Sequence, residues 1–235
     1  MSPIPAGIVA SARVASAATY PASVLSDSPL AYWRLGEASG TTAADSSGNS
    51  RNGTYAGSPA LGAASLITGD ANTSVDLDGT NDQVSLAYAA WMDVDTITLE
   101  ALIKPDNVTS QRQIMDRDGA TRIFQFRINS SSKLEFIWWT TGAGPFFATG
   151  ATSLVVGTRY HAAATFDGTT GKVLLNGVVD GSGSASGVLR KGSQGLLIAA
   201  SPGGSFFDGP FDEPAYYGSA LTTARLLDHK TKAGL

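Results

Sequence analysis

The fold class is decided by the stretch Arg122–Trp139, RIFQFRINSSSKLEFIWW. Its first half alternates apolar residues with Gln125 and Arg127, and its second half begins a similar alternation around Glu135. Successive side chains of a strand point to opposite faces, so this period of two predicts strands with one buried face. The polar link Asn129–Ser132 has the composition of a turn. The stretch therefore predicts two adjacent strands joined by a short turn.

The same period of two recurs in Thr96–Lys104 and Arg159–Phe166. The dipeptides Asp167-Gly168 and Asn176-Gly177 suit hairpin turns, because Asn, Asp and Gly adopt positive φ at low cost. One short helix is predicted from Thr222, as its N-cap, to about residue 232. Many short strands at this spacing predict an all-β, antiparallel two-sheet jelly-roll sandwich with one short C-terminal helix.

Composition excludes several classes of protein. The chain has 235 residues, 43% of them hydrophobic, so it can bury a sizeable core. Its net charge is −4 and its lysines and arginines form no cluster, which argues against nucleic-acid partners. It has no cysteine, so disulfides and thiolate metal sites are excluded. No apolar stretch approaches the roughly 20 residues of a membrane span, so we expect no membrane insertion.

The N-terminal segment differs from the rest of the chain. Residues 1–19 are mostly small and apolar, but Pro3, Pro5 and Arg13 interrupt the segment. It has no Lys or Arg near its start. A secretory signal has a basic start and an unbroken apolar centre, so a signal peptide is the lesser alternative. We interpret residues 1–28 as an extended arm that docks on a partner, and residues 29–235 as the sandwich.

Several segments, taken in order, resemble the laminin-G-like jelly-roll family of concanavalin-like sandwiches. The sequence departs from the family at Leu102 and Arg159, where the family often has Trp, and at Leu77, where it often has Phe. These departures alter packing more than fold. The matching segments are Ala31–Glu37, Asp45–Asn49, Arg51–Thr54, Ser74–Gly79 with Asp82 and Val84, Ile97–Pro105, Tyr160–Gly168, Lys172–Gly177, Phe211–Glu213, Tyr217 and Ala220-Leu221 with the closing helix.

The opening through Trp33–Glu37, after a short arm rich in Ala, Ser and Pro, also resembles minor tail and other virion proteins of actinobacterial phages. This resemblance implies a phage virion structural protein, a minor tail or capsid-decorating component located in the virion. Its sandwich would contact other proteins or the host surface, its arm would bind other virion subunits, and it would form a homo-oligomer. The alternatives are a carbohydrate-binding, lectin-like domain that is secreted or on the cell surface, and a sandwich glycosidase.

A metal site is one candidate. Calcium takes several oxygen ligands, and Asp45, Asn49, Asp212 and Glu213 offer such oxygens. The resemblance implies that their segments lie together and that one structural calcium binds near the N-terminal loop and the last strand. The alternative is that residues 45–49 form a simple turn and that Asp212 caps backbone amides.

A sugar site is another candidate, because lectins stack aromatic rings on sugars and fix hydroxyls with polar groups. The candidates, which include a possible contact to a host-surface glycan, are Trp138, Trp139, Phe146, Phe147 and Arg127. Adjacent tryptophans on a strand face opposite ways, so at most one of that pair faces a groove. The alternative is that one is buried in the core and the other under a loop or a partner.

Catalysis is not expected. Hydrolysis of glycosides needs two carboxylates about 5–10 Å apart, and related sandwich hydrolases place them in an E-x-D-x-E motif that this chain lacks. Of its four glutamates, Glu100 and Glu135 stand alone on alternating strands, so we expect both to face solvent. The two histidines, His161 and His229, accompany no Gly-x-Ser-x-Gly motif.

Overall fold

The computed structural model describes residues 19–235, which form a sandwich of two antiparallel sheets. This confirms the predicted fold class. The first sheet contains β1 (Ala31–Tyr32), β4 (Ala60–Ala64), β5 (Thr73–Asp78), β7 (Ile97–Ile103), β12 (Tyr160–Phe166), β13 (Thr170–Leu175), β14 (Val178–Ser184) and β16 (Asp208–Tyr217). The second sheet contains β2 (Thr42–Ala43), β3 (Gly53–Ala56), β6 (Gln83–Leu86), β8 (Arg112–Arg117), β9 (Phe124–Ile128), β10 (Lys133–Thr140), β11 (Ala143–Ser153) and β15 (Leu196–Ile198).

Strands distant in sequence are neighbours in both sheets. The order of the first sheet is β14-β13-β12-β7-β16-β5-β4, with β1 paired to β16. The order of the second sheet is β11-β10-β9-β8-β15-β6-β3-β2. A 3₁₀ turn at Ala90–Met92 and two helices, α1 (Tyr20–Ser26) and α2 (Thr223–Lys232), complete the described chain.

The stretch that predicted the fold forms the hairpin of β9 and β10. Phe136 pairs with Phe126, and Glu135 pairs with Arg127. The apolar partners are buried between the sheets, and the polar partners lie on the outer face of the second sheet. The observed hairpin thus confirms both the alternation and the turn predicted for residues 129–132.

The core is rich in aromatic rings, and two glycines make room for the largest. The Trp138 ring lies 5.2 Å from that of Phe136 and 5.5 Å from that of Phe166. A Cβ placed on Gly171 would overlap the Trp138 ring, and one on Gly183 would also approach it. These glycines in β13 and β14 are therefore a packing requirement of the tryptophan.

Both helices cover the outer face of the first sheet. Helix α2 begins with Thr222, whose side chain accepts a hydrogen bond from the Arg225 amide, as predicted. Arg225 Nε lies 2.9 Å from both carboxylate oxygens of Asp27, at the end of α1, which ties the two helices together. Neither helix in the described chain is long and apolar enough to span a membrane.

The structure corrects one boundary. Within the predicted arm 1–28, residues 20–26 form α1 and bury Tyr20 and Val24 against the first sheet. The segment was not predicted as a helix because it is only seven residues long and has Pro21 in its first turn, where proline is tolerated. The remainder of the predicted arm, residues 1–18, lies outside the described residues.

Candidate functional site

Both described helices pack on the first sheet, so they leave the outer face of the second sheet uncovered. This outer face carries a groove of polar side chains. Register places Gln113 opposite Arg127 and Asp116 opposite Gln125 on this face. The loop 201–205 rises beside these strands and encloses a volume of about 390 Å³. We call this the polar groove. It is lined by Gln111, Gln113, Asp118, Gly119, Arg122, Gln125, Arg127, Ser201, Pro202, Gly203 and Ser205.

Hydrogen bonds hold the floor of the polar groove in one arrangement. Arg127 donates to Glu135 Oε2 from Nη2 at 2.6 Å and from Nε at 2.9 Å. Arg127 Nη1 also donates to Gln125 Oε1 at 3.2 Å, and Gln125 Nε2 donates to Asp118 Oδ2 at 2.9 Å. The chain of bonds fixes amide, carboxylate and guanidinium groups before any ligand arrives, which lowers the entropic cost of binding.

A buried carboxyl lies beside this network. Asp116 is 1% exposed, and its Oδ2 accepts a hydrogen bond from Gln113 Nε2 at 2.8 Å. Burial, together with the nearby charge of Asp118, raises the pKa of Asp116 to about 7. Its Oδ1 has no partner among the described residues. Below about pH 7, Asp116 is therefore mostly neutral.

The five residues predicted to bind sugar point to both faces of the second sheet, because successive side chains of a strand alternate. Arg127 lines the polar groove and Phe147 lies on the surface, 50% exposed. Trp138 is fully buried in the core, with the half-buried Phe146 ring 5.8 Å from its own, so neither offers a stacking surface. Trp139 is only 6% exposed.

Trp139 is covered by two neighbours. Gly144, near the start of β11, lies against its indole, and the Arg122 guanidinium is 5.9 Å from its ring centre. One tryptophan is in the core, as the alternative had it, and the other lies under Arg122 from the loop between β8 and β9 and under the start of β11. Trp139 supports Arg122 at the groove wall and has little free ring surface of its own.

Two of the four predicted calcium ligands organise a loop. Asp45 accepts hydrogen bonds from the amides of Tyr32, Ser47 and Arg51 at 2.9–3.0 Å. The Asn49 amide nitrogen donates to the Leu30 carbonyl at 3.0 Å. These are the contacts of a turn, as the alternative to calcium proposed.

The other two predicted ligands are buried and engaged by protein donors. Asp212 accepts a hydrogen bond from the Leu66 amide at 2.9 Å, and burial raises its pKa to about 7. Glu213 contacts Arg34 Nε at 2.9 Å and the Tyr32 hydroxyl, and burial raises its pKa as well. Asp45, Asp212 and Glu213 do not converge on one point in the described chain, and the calcium site stays a prediction.

The structure brings together a different set of ionisable groups. Across residues 19–235, one group of three His, Cys, Asp or Glu side chains has ligand atoms within 4.8 Å of one another: Glu100, His161 and His229. All three are fully buried. His161 Nε2 lies 2.6 Å from Glu100 Oε2, and His229 Nδ1 lies 3.0 Å from the same oxygen. We call these residues the buried triad.

The expectation that Glu100 faces solvent is therefore wrong. Glu100 does lie on the outer face of the first sheet, but α1 and α2 cover that face. The sequence of β7, ITLEALI, carries a hint, since Leu102 makes the face of Glu100 partly apolar as well. Glu135 lies on the outer face of the second sheet, where its side chain is 12% exposed beside Arg127.

Electrostatics in the buried triad favour an ionised glutamate. Burial alone raises the pKa of Glu100, but hydrogen bonds and charge from His161 and His229 outweigh it and hold that pKa well below its ordinary value. Burial lowers the pKa of His229, but Glu100 and then Asp27 raise it above its ordinary value overall. His229 Nε2 lies 3.0 Å from Asp27 Oδ2, within ion-pair range but without the alignment of a hydrogen bond.

Comparison with known proteins agrees with this architecture. A family model described as the concanavalin A-like lectin/glucanases superfamily matches residues 78–226. No curated protein sequence matches the chain significantly. The solved structures below are 12–18% identical to the chain, so these likenesses show the fold alone.

One similar structure is domain 4 of AbnA, a GH43 extracellular arabinanase from Geobacillus stearothermophilus, in complex with arabinotriose. It is 18% identical, with a TM-score of 0.66, over 85% of this chain and 97% of that one. The binding domain of Paraclostridial Mosquitocidal Protein 1 is 12% identical, with a TM-score of 0.67, over 88% of this chain and 52% of that one. A Trypanosoma rangeli sialidase is 12% identical, with a TM-score of 0.62, over 88% of this chain and 33% of that one. The match to more than half of its length shows that the chain belongs to the concanavalin A-like lectin/glucanase superfamily.

Proposed function

We propose that the chain is a non-catalytic carbohydrate-binding module and that the polar groove holds the sugar. The observation that carries this proposal is the pre-ordered row Asp118, Gln125 and Arg127 on a sheet face that no described helix covers. A sugar presents hydroxyls that both donate and accept hydrogen bonds. Carboxylate and amide oxygens accept hydrogen bonds, and amide and guanidinium nitrogens donate them, so together these groups can bind such hydroxyls.

The size of the polar groove suits a short saccharide. Its volume of about 390 Å³ lies at the lower end of small-molecule sites, which run from about 300 to 1,000 Å³. None of its lining side chains is aromatic, so hydrogen bonds to hydroxyls carry recognition there. The domain of an arabinanase that shares this fold was solved with arabinotriose bound, which supports a saccharide as the ligand class.

The carboxylates near the polar groove support binding without hydrolysis. Glycoside hydrolysis uses one carboxyl as an acid and a second as a nucleophile or base, on either side of the scissile bond. Here Asp118 is bonded to Gln125, Glu135 is paired with Arg127, and Asp116 is covered. Each carboxylate already has a protein partner and holds the floor of the groove in place.

A glycan array tests the proposal with a matched pair of variants. Gln125→Ala removes a side chain from the middle of the polar groove. Gln83→Ala makes the same change in β6 of the same sheet, outside the groove. We expect the wild type and Gln83→Ala to bind the same glycans and Gln125→Ala to lose them. Binding that survives Gln125→Ala unchanged would contradict the assignment of the site.

The virion role stays a prediction, and it is compatible with sugar binding at a host surface. It rests on the resemblance carried by Trp33–Glu37 and on the arm, of which residues 1–18 lie outside the described part of the chain. Mass spectrometry of purified particles from the source culture tests it. We expect the chain at a fixed ratio to the major particle proteins, and its absence from particles would contradict the role.

A further inference from the structure

The buried triad joins three separate elements of the fold. Glu100 comes from β7, His161 from β12 and His229 from α2, so the three side chains meet where the helical layer rests on the first sheet. Their side chains are all completely buried. Neither the polar groove nor the proposed sugar binding uses them.

We propose that Glu100, His161 and His229 bind one divalent transition-metal ion of the zinc class. Two imidazoles and one carboxylate are a donor set that zinc accepts, with bonds of about 2.0–2.2 Å. Such bonds in a tetrahedron place ligand atoms about 3.3 Å apart. The observed separations from Glu100 Oε2 are 2.6 Å to His161 Nε2 and 3.0 Å to His229 Nδ1. The ion therefore needs Glu100 Oε2 to move away from His161 Nε2 by about 0.7 Å and from His229 Nδ1 by about 0.3 Å.

The neighbours of the buried triad suit an outer shell for such an ion. Metal-bound histidines commonly present their second nitrogen to a carboxylate, and His229 Nε2 lies 3.0 Å from Asp27 Oδ2. The Tyr217 hydroxyl donates to Glu100 Oε1, and Glu100 Oε2 is the oxygen within 3.0 Å of both histidines. Tyr20, edge-on to the His229 ring at 6.0 Å, has a buried hydroxyl with no partner in the described chain.

The positions of the histidine protons separate the metal-bound form from a purely hydrogen-bonded one. Without a metal, His229 lies between two carboxylates, with Nδ1 3.0 Å from Glu100 Oε2 and Nε2 3.0 Å from Asp27 Oδ2. An ion would take the lone pairs of His161 Nε2 and His229 Nδ1, so each ring would carry its proton on the other nitrogen. His161 Nδ1 has no acceptor among residues 19–235, which is the energetic cost of the bound form.

Because the buried triad is closed to solvent, the test is made during refolding. The full chain is unfolded in urea with a chelator and refolded with Zn²⁺, with Co²⁺ or with the chelator alone. We expect one Zn²⁺ per chain by elemental analysis after dialysis, and a higher Tm than in the chelator-refolded protein. Co²⁺ should give the visible absorption of a tetrahedral site.

Variants then assign the ligands. His161→Gln and His229→Gln should each abolish stoichiometric metal and the Tm difference. Glu37→Gln, which changes a glutamate outside both the buried triad and the predicted calcium ligands, should retain both. Wild type that refolds with Zn²⁺ yet carries no stoichiometric metal, and melts as it does in chelator, would overturn the proposal. That wild-type experiment decides the matter even if a variant fails to fold.

Discussion

Glu100→Gln tests the buried triad as a hydrogen-bonded network when the protein is studied in chelator. The carboxylate accepts hydrogen bonds from His161 and His229 and from the Tyr217 hydroxyl. Glutamine has nearly the same shape but only one acceptor oxygen, and its amide nitrogen would face donors. At least one of the three bonds must therefore be lost, together with the negative charge that these donors face.

The magnitude follows from the burial of these groups. A hydrogen bond to a charged group contributes about 1.5–3 kcal/mol, and removal of one partner from a buried ion pair costs about 3–5 kcal/mol. We expect Glu100→Gln to lower the free energy of unfolding by about 3–5 kcal/mol. For a domain of this size, 1 kcal/mol corresponds to about 2–4 °C in Tm, so the expected fall is about 6–20 °C.

Urea denaturation followed by tryptophan fluorescence measures this loss, because Trp33 and Trp138 are fully buried in the folded state. Glu135→Gln is the matched control, since it makes the same change in the partly exposed pair with Arg127 and should cost about 1 kcal/mol or less. A Glu100→Gln protein within about 1 kcal/mol of wild type, or no less stable than the control, would refute the reasoning.

Three further predictions concern packing, pH and the helical layer. Gly171→Ala should lower the free energy of unfolding by about 1–3 kcal/mol, because the new methyl overlaps the Trp138 ring. In the same urea titration, Gly203→Ala in an open loop should change the free energy of unfolding little. Between about pH 4 and pH 7 folded Asp116 holds a proton that the unfolded chain has lost, so wild-type stability falls as the pH rises through this window. Asp116→Asn should flatten that fall in Tm measured against pH, and an unchanged slope would argue against it. Arg225→Ala removes the ion pair between the helices, so hydrogen exchange should speed up in α1 while the sheet strands keep their protection.

Much of the sandwich could be predicted because alternation reports one buried face directly. The hairpin of β9 and β10 and the Thr222 cap of α2 follow from local pattern and from residue type. Alternation does not show, however, whether further elements such as helices pack on the outer face of the sheet. Glu100 lies on the face that alternation marks as outward, and only the position of α1 and α2 shows that this face is buried.

The polar groove was predicted only in part for a related reason. Arg127 could be named because it stands on the polar face of a recognisable strand. Gln113 and Asp116 join it through the pairing of β8 with β9, and loop 201–205 arrives from about 75 residues further along the chain. Such long-range register is set by the whole sheet. In the same way, adjacency in the sequence places Trp138 and Trp139 on opposite faces, but only the positions of Gly144 in β11 and of Arg122 show that Trp139 is covered.

The most direct test of the central claim is an NMR titration of the ¹⁵N-labelled chain with soluble oligosaccharides, arabinotriose among them. The account predicts that at least one saccharide shifts the amide signals of β8, β9 and loop 201–205, and the side-chain amide of Gln125, with the first sheet unaffected. Shifts confined to another surface, or none with any saccharide of a panel that covers pentoses, hexoses and acidic sugars, would contradict the claim that the polar groove binds carbohydrate.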